Sequence, residues 1–332
     1  MKKTITRILS LLLAVLMLMT LLVACKKKDA DEKTEMKIYV LNGTTALGMA
    51  QLMDKVANNT AELDYQISVK SSADEITGPI INGECAIAAL PTNAAAKLYK
   101  VSEGKIQLLA LNTLGVLYLL QSGNTTVASL QDLKGKTIHL PGEGTNPEII
   151  MKALLQSANL TVGKDVFLNS TAYPSPDDLT TAVAAGKVDL AVLPEPKVSV
   201  VTSKNTSVKV ALNLTTEWEA INGKDTLVQG CLVVNTEFAK EHPDEVKKFL
   251  KDYEESVHFI KAGSDEAINM VVNAKLLPNA GVAKKALPNC NLCCITGESM
   301  KVPMNTFCEK MFAAVPTSVG AIPNDAFYYV AK

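Results

Sequence analysis

Two stretches of this chain are written to one plan. Residues 83–92 read GECAIAALPT and residues 186–195 read GKVDLAVLPE, so a glycine, a short apolar run and Leu-Pro recur at an offset of 103. A continuous apolar run of this length reads as a buried strand of a parallel sheet, covered on both faces. The glycine ahead of it reads as a helix end, EITGPIING in one copy and LTTAVAAG in the other. Proline stops the strand, and a new helix starts at TNAAAKLYK or PKVSVV. Each copy is one step of a right-handed β/α ladder. A second pair, KIYVLNGTTALGMAQLM from Lys37 and KTIHLPGEGTNPEIIMKALL from Lys136, shares a strand, a glycine–threonine loop and an apolar helix at an offset of 99. Two pairs in one order at nearly one offset predict a duplicated α/β lobe.

The β-rich runs GVLYLLQSG (115–123) and LVQGCLVVN (227–235) are expected to cross between the lobes. This gives lobe one as 36–118 with 230–332, and lobe two as 119–229. A short helix is predicted at SLQDLKGK, and the last hundred residues read as mostly helical. There Val246, Phe249, Leu250, Tyr253, Val257 and Ile260 form one apolar face, closed by Gly263.

Lys2, Lys3 and Arg7 precede an uncharged run from Ile8 to Ala24 that ends in LLVAC. The run is short for a membrane span and has the layout of a secretory signal. Leu22-Val23-Ala24-Cys25 resembles the lipobox of bacterial lipoproteins, which implies removal of residues 1–24 and acylation of Cys25. Residues 25–35 are charged and apolar-poor, a tether that cannot bury enough surface to fold. The alternative is an uncleaved anchor. Without Lys2, Lys3 and Arg7 the 33 basic residues become 30, set against 34 acids, a net charge of about −4. No basic stripe points to nucleic acid. Arg7 is the only arginine, so beyond the leader nothing offers a guanidinium fork to a carboxylate, phosphate or sulfonate. An anion would be held by lysines, hydroxyls or backbone N–H groups. CNLCC (290–294) admits three readings: a metal site, a disulfide within the Cys290, Cys293, Cys294 and Cys308 group, or small buried thiols. Neither a metal nor a cofactor is expected.

LNGTTALGM, LPTNAAAK, GEGTNPEIIMKALL, AGKVDLAVLPEPKV and QGCLVVNTEFAKEHPDEVKKFL together resemble substrate-binding lipoproteins of ABC importers. The branch is the SsuA/THI5-like (NMT1-like) family of nitrate, sulfonate, taurine and pyrimidine-precursor proteins. The resemblance implies a two-lobed α/β fold of the periplasmic-binding-protein type II class, a ligand cleft between the lobes and two hinge strands. It implies a monomer that captures a small molecule for an ABC permease at the outer face of the cell membrane. The family also holds eukaryotic thiamine-pyrimidine synthases with a cysteine-rich run ahead of the segment matching NTEFAKEHPDEVKKFL. Only Cys231 stands there in this chain, so an enzyme is the alternative reading, beside a scaffold lipoprotein without a solute.

In open α/β sheets ligands sit beyond the carboxyl ends of the strands. The loops there are 42–46, 91–93, 142–147 and 194–196, joined by STAYPSP. The candidate ligand residues are Asn42, Thr44, Thr45, Thr92, Asn93, Thr145, Asn146, Tyr173 and Glu195. Several sit at helix starts, where free N–H groups collect, and Thr44, Thr92 and Asn146 can cap a helix or touch a ligand. Glu195 either complements a helix dipole or accepts hydrogen bonds from an amine or ring N–H. Tyr173 and Trp218 either stack on a flat ligand or pack in the core. His139 reads as a satisfied core residue, and His242 and His258 as helix-surface residues. The lack of arginine and the presence of Glu195 favour a neutral or amine-bearing heterocycle over nitrate or a sulfonate.

Overall fold

The repeated steps become the third strands of two separate sheets. A computed structural model describes residues 34–123 and 125–331; Cys25, the leader and the tether up to residue 33 lie outside them. The chain opens with β1 (Glu35–Leu41), β2 (Asp64–Lys70), β3 (Ile87–Pro91) and β4 (Ile106–Thr113). It continues with β5 (Leu117–Gln121), β6 (Thr137–His139), β7 (Phe167–Asn169), β8 (Leu190–Pro194) and β9 (Lys209–Asn213). The last two strands are β10 (Gly230–Asn235) and β11 (Leu292–Ile295). The first sheet runs β11-β4-β10-β3-β1-β2 and the second β7-β6-β8-β5-β9.

The duplication is topological. In the first sheet β1 lies parallel to β2 and β3, and β10 runs antiparallel to β3 and β4. In the second, β6 lies parallel to β7 and β8, and β5 runs antiparallel to β8 and β9. The two motif strands β3 and β8 share one burial pattern, four buried residues and a half-buried proline. Apolar runs without alternation are required because helices cover both faces. Gly83 ends the helix Asp74–Asn82 at φ 77°, ψ 9°, a left-handed conformation that glycine adopts without strain.

The two runs expected to cross between lobes instead lie each within one sheet, β5 in the second and β10 in the first. Sheet membership changes in the short segments before them, at 114–116 and 226–229. Packing explains this. A Cβ on Gly115 would collide with the side chains of Thr215 and Leu227. The close approach sits at the glycine, and Leu117, Tyr118, Leu119 and Leu120 behind it enter the sheet.

The helix Pro243–Lys261 buries Val246, Phe249, Tyr253, Val257 and Ile260, with Leu250 half-buried at its edge. SLQDLKGK forms one 3-10 turn, Leu130–Leu133, closed by a capping box between Ser129 and Asp132. CNLCC breaks the helical expectation for the C-terminal part, because Leu292–Ile295 is the edge strand beside β4. All six cysteines among the described residues are free thiols. One apolar cluster runs from Leu90 and Leu111 of the first sheet through Leu117, Val192 and Trp218 to Phe307 of the helix Lys301–Ala314. Trp218 is therefore core: it is fully buried, lies 6.1 Å from the Phe307 ring, and donates its indole N–H to Thr226 Oγ1 at 3.1 Å.

Candidate functional site

The carboxyl ends of β1 and β3 come from the first sheet, and those of β6 and β8 from the second. At the two motif strands the backbone is the same. The N–H of Thr92 donates to the Gln229 carbonyl at 3.3 Å, and the N–H of Glu195 donates to the Val116 carbonyl at 2.9 Å. Gln229 and Val116 each stand just ahead of the antiparallel strand beside the motif. The crossings are also bonded to one another: Val116 N–H donates to Gln229 Oε1 at 2.6 Å, and Gln229 N–H to the Thr113 carbonyl at 2.9 Å. Asn291 clamps the first crossing. Its carbonyl accepts from Leu114 N–H at 3.1 Å and its side chain donates to the Gly115 carbonyl at 2.5 Å.

The candidate residues divide by what their polar atoms already do. Thr44, 8 % exposed, donates its hydroxyl across the sheets to the Glu195 carbonyl at 2.7 Å. This bond joins two predicted site residues from different sheets. Thr45 closes its own turn by donating to the Leu41 carbonyl at 2.9 Å, and its carbonyl accepts from Asn112 Nδ2 at 3.1 Å. Asn42 is exposed at the β1–β2 edge, and Asn93 is half-buried in the first turn of the helix Thr92–Val101. Thr92 is fully buried, and its hydroxyl donates to the Val228 carbonyl at 2.5 Å. It latches the strand end to the crossing, a role spacing alone could not reveal.

Thr145 lies within reach of the Pro141 and Gly142 carbonyls, at 2.8 and 3.0 Å, and folds the glycine loop on itself. Asn146 opens the helix Asn146–Ser157, and its Oδ1 is buried without a hydrogen-bond partner. A buried acceptor left so is costly until something donates to it. Tyr173 is half-buried, its carbonyl accepting from Gly142 N–H at 3.2 Å and its ring set edge-on to His139 at 5.7 Å. His139 is not the satisfied core residue expected, since its buried Nδ1 has no partner. His242 is half-buried between helices, and His258 is exposed.

Two buried carboxylates frame the second sheet's strand ends. Glu195, 3 % exposed, accepts from Ser199 N–H at 3.1 Å and from Ser199 Oγ at 2.9 Å at the start of the helix Lys197–Lys204. Burial pushes its carboxyl up to about 7, against the pull of the Ser199 bonds and of Lys285. Glu148 is 5 % exposed and accepts from Gly144 N–H at 2.5 Å, Ser170 Oγ at 3.1 Å and Lys152 Nζ at 3.0 Å. Burial pushes it up too, but the Gly144 N–H and Lys152 outweigh that and hold it below the ordinary range. Glu148 escaped the sequence reading, although Thr145 and Glu148 have the spacing of a capping box. Asn112, Gln229 and Asn291 were missed because they act on backbone far away in sequence, and Ser199 because its partner is the buried carboxylate one helical turn before it.

Burial also pushes the thiols of Cys293 and Cys294 up to about 12, so both stay protonated. Among the described residues no group of three or more His, Cys, Asp or Glu is placed to hold a metal ion. The site offers hydroxyls, amide groups and helix starts for holding a molecule.

Residues 106–267 match the family described as NMT1/THI5 like. That match is to the family that the sequence resemblance implied. A protein of Bacillus subtilis (strain 168) named for binding aliphatic sulfonates is 33% identical over 100 residues. The matched stretch spans 30% of this chain and 28% of that relative. Among solved structures, an ABC transporter protein from Parabacteroides distasonis superposes with a TM-score of 0.76 at 23% identity, over 90% of this chain and 100% of its own. The periplasmic aliphatic sulphonate binding protein SsuA from Escherichia coli superposes with a TM-score of 0.72 at 13% identity, over 90% of this chain and 92% of its own. The fold is the periplasmic-binding-protein type II fold. The relatives bear the names of binding or transport proteins.

Proposed function

We propose that this chain is an extracytoplasmic solute-binding lipoprotein that holds a small molecule between two lobes, 36–118 with 230–332 and 119–229, and delivers it to an ABC importer. The observation that carries this reading is the Thr44–Glu195 bond, by which the strand-end loop of one sheet closes on that of the other. Closure of two lobes around a ligand is a known hinge motion. In the open form Asn42, Thr44, Thr45, Asn93, Thr145 and Asn146 present polar groups and Tyr173 an aromatic face, while Thr92 and Glu195 hold the loops from beneath. The chain acts as a monomer, tethered through acylated Cys25 to the outer face of the cell membrane, and performs no chemistry on its ligand.

The unpartnered Asn146 Oδ1 calls for an N–H donor, which supports a neutral or amine-bearing heterocycle. A sulfonate is the second reading, favoured by the names of the matched relatives. A melting-temperature screen of vitamins, pyrimidines, amines and sulfonates decides, because ligand at about 100 times its Kd adds about 2.7 kcal/mol. Shifts with heterocycles support the first class and shifts with sulfonates alone the second. No saturable binding in either class leaves a scaffold lipoprotein. Recovery of the ligand unchanged after long incubation tests the non-enzymatic reading. Cys25→Ser should release the protein from the membrane fraction; a variant still processed and membrane-bound removes the anchor.

A further inference from the structure

The Glu195 loop is one of the places where the two lobes touch, and groups of the opposite lobe stand around it. Thr44 reaches its carbonyl from the loop after β1. The helix Ala280–Ala286 packs on the helix Lys197–Lys204 and brings Lys285 to the carboxyl; Cys290 follows close behind. Beside its own sheet Glu195 receives Ser199 and faces Tyr118 of β5, whose hydroxyl lies 3.4 Å from the carbonyl of Asn289, ahead of β11 in the first sheet. The cation nearest on its own helix, Lys197, is paired with Asp177. Of the facing groups only Lys285 carries charge near neutrality. Burial pushes the Tyr118 hydroxyl up to about 12 and the Cys290 thiol well above its ordinary value. Lys285 is exposed, so water screens its attraction.

We propose that closing of the lobes takes up a proton at Glu195, so that the closed, ligand-holding form is favoured in mildly acid surroundings and opens as they turn alkaline. The inference rests on the solute-binding reading, since it concerns closure over the same cleft. Opening withdraws Thr44, Lys285 and Cys290, admits water to the carboxyl and leaves the Ser199 bonds in place. Water and those bonds all favour the charged form, so the open carboxyl returns towards its ordinary 4.5 while the closed one sits near 7. The protonated form fits the site: Ser199 N–H still donates to one oxygen, and Ser199 Oγ, 2.9 Å from the other, accepts the new O–H. A group raised in the closed state favours closure fully below its open-state value and loses that contribution as pH rises through its closed-state value. The window is therefore about pH 4.5 to 7, and the closed-to-open ratio falls by up to about tenfold for each pH unit within it.

The test uses the full chain without any added solute. Small-angle scattering and a fluorophore pair across the lobes should show the wild type opening between pH 5 and 8, and Glu195→Gln holding one closed fraction throughout. Infrared difference spectra of the wild type should contain a protonated-carboxyl band at pH 6 that is gone at pH 8 and absent from the variant. A wild type whose closed fraction ignores pH, or a variant that opens with the same profile, overturns the proposal. Should Glu195→Gln not fold, the infrared band of the wild type decides, and its absence at pH 6 is equally fatal. These outcomes are separate from the solute screen: a chain that binds nothing can still open with pH, and a chain that binds a solute can close without a proton.

Discussion

Thr92 and Glu195 stand at the same place in the two copies, one residue after the Leu-Pro that ends the strand, and their backbones make the same bond to a crossing segment. Their side chains part company. Thr92 spends its hydroxyl on the crossing segment, at the Val228 carbonyl. Glu195 turns to Ser199, and its carbonyl is the group that Thr44, after β1 of the other sheet, reaches. The duplicated backbone builds two similar ladders, and the unlike side chains divide the labour. On the proposed reading, one copy fixes the hinge and the other forms the seam that opens.

The largest effect expected from this comparison lies at the glycines of the crossings. A Cβ at Gly115 meets the Thr215 side chain and Leu227, deep between the two sheets. Gly115→Ala should lower stability by about 3 kcal/mol in denaturant melts, the upper range for an overpacked site. At Gly230 the added Cβ meets Asn112 Oδ1 at 2.5 Å, Thr45 Cγ2 at 2.6 Å and Thr113 Oγ1 at 2.9 Å, none as near as Thr215 Oγ1 is to Gly115, at 2.1 Å. Gly230→Ala should cost less, and an equal cost would mean that the crossings are packed alike. Next comes Thr92→Val, which keeps the shape and leaves the buried Val228 carbonyl without its donor. It should cost about 1–3 kcal/mol and leave the closed fraction unchanged.

Much of this frame was legible in the sequence because it rests on local signals. Uninterrupted apolar runs with a glycine ahead and a proline behind gave β3 and β8, and the spacing of Val246, Phe249, Tyr253, Val257 and Ile260 gave the long helix face. The crossings were misplaced by a few residues because the deciding fact, the lack of room at Gly115, belongs to Thr215 one hundred residues later. The strand in CNLCC was missed because an edge strand depends on a free edge, here that of β4. At the site, composition showed which residues gather at strand ends but not what they bond. Thr92 and Thr44 read alike in sequence, and only their partners, Val228 and Glu195, tell latch from seam.

The two buried glutamates sharpen the contrast through pH. Glu148 is held below the ordinary range, so its contribution is present above that range and lost as pH falls through its lowered value. Glu195 is raised to about 7, so its contribution is present below about 4.5 and lost as pH rises through about 7. Glu148→Gln should lower stability by about 1 kcal/mol at pH 7, with the deficit shrinking towards acid. Glu195→Gln should be nearly neutral at pH 5 and relatively stabilising at pH 8. Melting temperatures of both variants across pH 4 to 8 check the signs, and parallel curves would remove the distinction.

The smallest effect on stability, and the most telling, belongs to Thr44→Val. The substitution keeps the volume and removes one hydroxyl whose partner, the Glu195 carbonyl, is reached across the seam. In the open form that carbonyl meets water, so the loss falls on the closed state alone. A single neutral hydrogen bond is worth about 0.5–1.5 kcal/mol, which is about a two- to twelvefold fall in the closed-to-open ratio. Global unfolding starts from the mixture of both forms, so its midpoint should move by less than this. Thr92→Val predicts the reverse pattern, because its bond is made to the crossing segment 226–229, about which the lobes would turn, and persists when the seam opens. A fluorophore pair across the lobes reads the ratio, and a urea melt reads the midpoint. If Thr44→Val shifts the midpoint and spares the ratio while Thr92→Val does the opposite, the assignment of latch and seam to the two copies is inverted.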